Sequence, residues 1–160
     1  MHTEPTDNEG PNLLKVTENL KIQDNVVFSR DRIGFEEMNI LYNVSDFCIN
    51  IAFAEGFGLG TLEAMMAGTP IIAAKTGGLT RQVVDHRDGT ENGVALDIAS
   101  KTLVGSQMVP YIYEDYTSNK DTSEAIMKIH DMDLFSRELL SQKVYEYATK
   151  EFSLQKTVRS

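Results

Sequence analysis

Glu55 and Glu63 bracket the segment Gly56-Phe57-Gly58-Leu59-Gly60-Thr61-Leu62, and Ala64-Met65-Met66-Ala67-Gly68-Thr69-Pro70 runs on behind. Glycines let backbone amides approach an anion with no side chain in the way, and a helix N-terminus adds unpaired N–H groups and a partial positive charge. A glycine loop feeding a helix therefore suits a phosphate. Each carboxylate has its own reading. Glu63 falls in the first turn of the helix read at Leu62 to Gly68, where it either complements the helix dipole as the back-reaching partner of a capping box or faces a ligand. Glu55 stands between an apolar strand and the glycine loop, at the strand end where open α/β sheets bind ligands.

The elements that must position these residues alternate along the chain. Upstream, Phe47-Cys48-Ile49-Asn50-Ile51-Ala52-Phe53 reads as a buried strand within Asp46 to Ala52, and Gly68 and Pro70 stop the motif helix. Further strands are expected at Asn25 to Phe28, Pro70 to Ala74 and Val94 to Leu96. Helices are expected at Asn12 to Leu20, Gly34 to Tyr42 and Thr80 to Val84, and two more after Asn119. A turn-rich stretch lies around Asp88-Gly89-Thr90-Glu91-Asn92-Gly93. Near-continuous apolar strands alternating with helices specify an α/β domain, a Rossmann-like parallel sheet with helices on both faces.

The glycine loop with both Glu residues, followed by Ala64 to Ala73, resembles the C-terminal, donor-binding domain of retaining glycosyltransferases built from two Rossmann-like domains, called family four or group one. Val26-Val27-Phe28, Ile40-Leu41-Tyr42, Ser45-Asp46 and Gly77-Gly78-Leu79 stand in the family's order. The resemblance implies that Glu55 is the catalytic-site carboxylate contacting donor-sugar hydroxyls near the reacting carbon, and that Glu63 accepts from the ribose hydroxyls. It implies that the amides of Gly56, Phe57, Gly58, Leu59, Gly60 and Thr61 hold the sugar and diphosphate. A carboxylate only accepts hydrogen bonds, which fits hydroxyls, while a leaving diphosphate needs donors. Transfer from a nucleotide-diphosphate sugar with retention then runs by a same-face, oxocarbenium-like route that needs no nucleophile, no cofactor and no metal.

With 160 residues, 41% of them hydrophobic, the chain has material for a single core and reads as one partial nucleotide-sugar-binding domain. A net charge of −9 argues against nucleic acid or an anionic membrane as partner. Cys48, the single cysteine, reads as a core thiol and excludes an intramolecular disulfide. Met1-His2-Thr3-Glu4-Pro5 has no secretion-signal pattern, and no apolar run approaches a transmembrane segment, so a cytoplasmic protein is expected.

Lys75, Arg81, Arg30 and Arg32 fall at or after strand ends on the binding edge. Arg30 and Lys75 join the donor-binding set, together with Gly77 and Gly78, whose loop offers a second amide-rich helix start. Asp131-Met132-Asp133 matches a metal-diphosphate pattern, but between two helices its aspartates read as caps. His2, His86 and His130 lack metal-ligand spacing.

The family's N-terminal acceptor domain, and the first strand and helix of the donor domain with their diphosphate-clamping Arg and Lys, have no counterpart here. The absent strand is the central one of a Rossmann sheet, so two edges are left unpaired. The chain is therefore expected to self-associate or join an N-terminal partner chain, or to fill the slot with Leu103 to Tyr113. A non-catalytic nucleotide-sugar-binding module or a remnant is the alternative to an enzyme domain.

Overall fold

The computed structural model describes residues 1–8, 10–109 and 111–153, and the chain divides into two compact units, Met1–Phe35 and Glu36–Ser160. In the first unit, α1 (Leu13–Leu20) starts where the Asn12 side chain accepts from the Lys15 amide and ends at Lys21 in the left-handed region, φ 58°. A single 3-10 turn, Gln23–Asn25, follows. The strand expected at Asn25 to Phe28 does not form. Asn25 is taken into the turn, Val27 is 79% exposed, and the only pairing nearby among the described residues is an isolated parallel bridge between His2 and Ser29. Three apolar residues without a ladder partner have nothing to fix them as a strand.

At the boundary, α2 (Phe35–Asn43) leads into β1 (Cys48–Asn50), α3 (Leu59–Met66), β2 (Ile71–Ala74), α4 (Leu79–Val83) and β3 (Gly93–Leu96). Among the described residues these strands form a three-stranded parallel sheet in the order β1-β2-β3, with Cys48 opposite Ile71 and Ile72 opposite Val94. β1 is shorter than its apolar run. Asn50 ends it by accepting the Ala52 amide on Oδ1 at 3.0 Å, an Asx turn that folds the chain off the ladder.

The pleat of β2 sends alternate residues to opposite faces. Ile71 and Ala73 pack with Leu62 and Met65 of α3, Leu79 and Val83 of α4, and Val144, Tyr147 and Ala148 of the C-terminal helix. Ile72 turns the other way, onto Val94, Leu96, Ala125 and Ile129. Helices therefore cover both faces, and β2 is buried at every residue, as a parallel sheet requires. Cys48 is half-buried against the first cluster, and that burial pushes its thiol pKa up. The close of α3 comes as the sequence implies: the Gly68 amide donates to Met65 and the Thr69 amide to Ala64, a Schellman pattern.

Leu103 to Tyr113 does not enter the parallel sheet. β4 (Ser100–Val104) and β5 (Ile112–Tyr116) pair with each other as an antiparallel two-stranded sheet, Leu103 opposite Tyr113. Neighbouring segments close a short loop at low entropic cost, and each satisfies the other's backbone groups without crossing the fold. α5 (Asn119–His130) and α6 (Leu134–Glu151) complete the unit. Asp133 caps α6 by accepting from the Ser136 amide, and Asp131 ends α5, so the Asp-x-Asp stretch is a helix junction.

Candidate functional site

The loop after β1 is organised around the Glu55 carboxylate. Its Oε1 accepts the Gly58 amide at 3.1 Å, which curls 55–58 into a tight turn and leaves Glu55 half-buried at its base. Gly58 then turns at φ 83°, a conformation costly for any residue with a Cβ, and a Cβ there would also lie 2.6 Å from Leu79 Cδ2. From this point α3 runs on. Leu62 is the first residue whose amide bonds back, to the Gly58 carbonyl at 3.0 Å. The amides of Leu59, Gly60 and Thr61 fall in the helix's first turn, where no intrahelical acceptor exists.

Glu63 is not in the first turn. The helix starts three residues before the expected Leu62, Gly58 stands at its N-cap with no side-chain cap, and the capping-box reading of Glu63 therefore fails. Glu63 is instead exposed one turn further in, where its Oε2 accepts from the Tyr42 hydroxyl at 3.2 Å. Burial, and then the neighbouring Glu63 charge, push the Tyr42 pKa up to about 12, so the phenol stays protonated and remains a donor. Thr61 turns its side chain inward and is buried, its hydroxyl accepting from Asn50 Nδ2 at 3.0 Å. Of Thr61, then, only the backbone faces the site's chemistry.

A second loop, Thr76-Gly77-Gly78, locks onto the first. The Gly78 amide donates to Gly56 O at 3.1 Å and to Glu55 O at 3.3 Å, and a Cβ on Gly78 would sit 2.6 Å from Gly56 O. Both glycines serve this close approach of backbone to backbone. Glu55, Gly56, Phe57, Gly58, Gly77 and Gly78 are thus brought together at the carboxyl ends of β1 and β2. Lys75, at the end of β2, has its ammonium 2.6 Å from Asp97 Oδ1. Arg81 pairs with Glu151, whose side chain is 1% exposed, so its guanidinium joins α4 to the end of α6. Arg30 and Arg32 belong to the first unit, just beyond the His2 and Ser29 bridge.

Several residues at this edge carry no sequence signal. The hairpin is anchored here: the Asp115 amide donates to Phe53 O at 2.7 Å, the Thr76 hydroxyl to Asp115 Oδ2 at 2.8 Å, and the Phe53 and Tyr116 rings lie 4.4 Å apart. The Thr76 hydrogen bond, followed by the Lys101 ammonium 3.1 Å from Oδ1, holds the Asp115 carboxyl below its usual range. Gln82 is a further one, a fully buried carboxamide followed by Val83 and Val84, and its place beside an apolar pair is the one cue the sequence offered for it. A cavity of about 460 Å³ lies at the opposite, amino ends of β1 and β2, lined by Asp46, Thr69, Arg137 and Tyr145 among others. Its arginine is already held by Asp46 and by the His130 and Met132 carbonyls. Among the described residues no group of three or more His, Cys, Asp and Glu is placed to hold a metal ion, and no helix is long and apolar enough to cross a membrane.

Comparison with known proteins gives the chain's family and its fold. The chain is 32% identical over 127 residues to N-acetyl-alpha-D-glucosaminyl L-malate synthase of Bacillus anthracis, covering 70% of this chain and 32% of that protein. It is 28% identical over 102 residues to D-inositol 3-phosphate glycosyltransferase of Arthrobacter sp. (strain FB24), covering 64% of this chain and 23% of that one. The chain thus spans about a quarter to a third of these relatives' length. In fold, it resembles sucrose-phosphate synthase from Thermosynechococcus elongatus, with TM-score 0.64 and 21% identity over 90% of this chain and 32% of the other. It also resembles WaaG, a glycosyltransferase involved in lipopolysaccharide biosynthesis, with TM-score 0.61 and 20% identity over 84% of this chain and 30% of the other. The model of the family described as glycosyl transferases group 1 matches residues 6–104, which hold both glycine loops and both Glu residues, and this chain belongs to that family.

Proposed function

We propose that this chain is the donor-binding part of a retaining glycosyltransferase that takes a hexosyl group from a nucleotide-diphosphate sugar. The observation that carries the reading is the start of α3. Three first-turn amides, Leu59 to Thr61, are presented beside two carboxylates, one at the base of the loop and one further along the helix. Amides and a helix dipole supply what a diphosphate needs, and as the bond to the sugar breaks they stabilise the charge that develops on the leaving phosphate. Glu55, at the strand end, accepts from sugar hydroxyls. Glu63, kept in place by Tyr42, accepts from the ribose. The leaving phosphate takes the acceptor's proton on the same face, so no side chain of this chain acts as a nucleophile. No metal is needed where amides do the binding.

Calorimetry with UDP, GDP and ADP and with their glucose conjugates, each with and without chelator, tests this reading. Micromolar to millimolar binding of one nucleotide, unchanged by chelator, is the expected result. Absence of binding by all six, or strict dependence on magnesium, overturns it. Product formation on addition of an N-terminal partner chain then separates an enzyme domain from a non-catalytic binding module.

A further inference from the structure

Gln82 is fully buried on α4, and both hydrogen-bond partners of its side chain belong to the glycine loop. Its Nε2 donates to Phe57 O at 2.6 Å and to Gly58 O at 3.2 Å. Both partners are carbonyls, which only accept, so the carboxamide can take only one orientation. That orientation leaves Gln82 Oε1 buried with no hydrogen-bond partner among the described residues. An apolar side chain of the same shape would fill the space without that desolvation cost. Asn92, also fully buried, holds the backbone of α4 at this residue, its Nδ2 donating to the Gln82 main-chain carbonyl at 2.8 Å.

The two glycine loops are consequently clamped at both ends. Gly78 bonds the carbonyls of Glu55 and Gly56, and Gln82, one turn further along α4, bonds those of Phe57 and Gly58. With four successive carbonyls bonded to the Gly78 amide and the Gln82 carboxamide, the turn at Gly58 that leads into the first-turn amides of α3 is fixed. Resting on the reading of this loop as the diphosphate site, we infer that Gln82 is the positioning residue of the donor loop, setting the direction of the amides that meet the phosphates without touching the ligand itself. α4 is then a functional element that transmits its placement on β2 to the phosphate site.

Gln82→Met keeps the volume and removes both donated bonds. Measured well below its melting midpoint, where the variant is folded, it is expected to bind the preferred nucleotide among UDP, GDP and ADP roughly ten- to a hundredfold more weakly, the equivalent of losing about two hydrogen bonds. Amide NMR supplies a readout that needs no ligand: Gly58 and Leu59 resonances shift and the Gly58 amide exchanges faster. A residue with only a structural role lowers the melting temperature and leaves affinity and these resonances as in wild type, and that result overturns the inference. Should Gln82→Met fail to fold, Gln82→Glu decides: its carboxylate repels the two carbonyls near pH 8, and its protonated form donates again near pH 5.5, so affinity and the Gly58 resonance recover with acid in this variant alone. If wild type binds none of the three nucleotides, the donor-site reading fails, while the NMR comparison still tests whether Gln82 sets the loop.

Discussion

The Tyr42 hydroxyl donates to the Glu63 carboxylate across the gap between α2 and α3, at 3.2 Å, and ties a helix before β1 to the helix after it. Because Tyr42 titrates only at about 12, this donation persists through neutral and mildly alkaline pH. Tyr42→Phe is expected to weaken nucleotide binding by about 0.5–1.5 kcal/mol, the net value of one neutral donor, with no change of slope between neutral and mildly alkaline pH. Calorimetry across that range checks it, and a wild-type affinity in the variant would remove Tyr42 from the site.

The two carboxylates are expected to separate by substrate portion. Glu63→Ala should weaken UDP, GDP or ADP by about 1.5–3 kcal/mol, the cost of a charged acceptor. Glu55→Ala should chiefly erase the difference between nucleotide and nucleotide sugar. Since Glu55 also holds the Gly58 amide, Glu55→Gln, which keeps an acceptor there, should bind the bare nucleotide better than Glu55→Ala does. Equal nucleotide affinity in wild type and Glu63→Ala would count against a ribose contact.

Acid should release the hairpin before the sheet. The Asp115 carboxyl titrates below its ordinary value of 3.8, through the Thr76 bond first and Lys101 second. A depressed folded value means that its stabilisation is fully present above the unfolded value and is lost as pH falls through the folded one. Hydrogen exchange at the Asp115 amide, which bonds Phe53, is therefore expected to lose protection below about pH 3.8 while the β2 amides stay protected. Asp115→Asn should abolish this acid step, and an identical step in that variant would refute the assignment.

The Asp-x-Asp junction should matter for stability alone. Asp133→Ala removes the N-cap of α6 and is expected to cost about 1 kcal/mol in thermal or urea unfolding. Asp131→Asn should be nearly neutral. Nucleotide affinity, with or without magnesium, should be the same in both variants as in wild type. A metal-dependent loss would move the donor site to this junction.

Glu151 is expected to be worth more to the fold than any surface pair. It is buried at the end of α6 against Arg81, with His86 Nε2 3.6 Å away. Glu151→Ala leaves the α4 to α6 join without its charged partner and should lower stability by up to about 3 kcal/mol. A melting midpoint within a degree or so of wild type would show the pair to be dispensable.

The sequence by itself determined the alternation of strand and helix from Asp46 to Leu96, because apolar strands, glycine loops and small-residue helices each carry a local signature. It also singled out the loop proposed to bind the donor, since Glu55, the glycines and Glu63 are close together in the chain. Tertiary structure decided what depends on partners distant in sequence. Where α3 begins was settled by the Glu55 carboxylate gripping the Gly58 amide and by Leu79 packing on Gly58, which moved Glu63 out of the first turn. Whether Val26-Val27-Phe28 is a strand was settled by the absence of a ladder among the described residues of its unit, which no residue type announces. Lys75 and Arg81 look like free cations in sequence, yet Asp97 and Glu151 meet them only once β3 and α6 are packed. The clamp of Gln82 on Phe57 and Gly58 likewise exists only in the folded molecule. A hydrogen bond between residues far apart in the chain is set by the geometry of the sheet beneath them, and that geometry is the sum of all the packing, legible in no single stretch of residues.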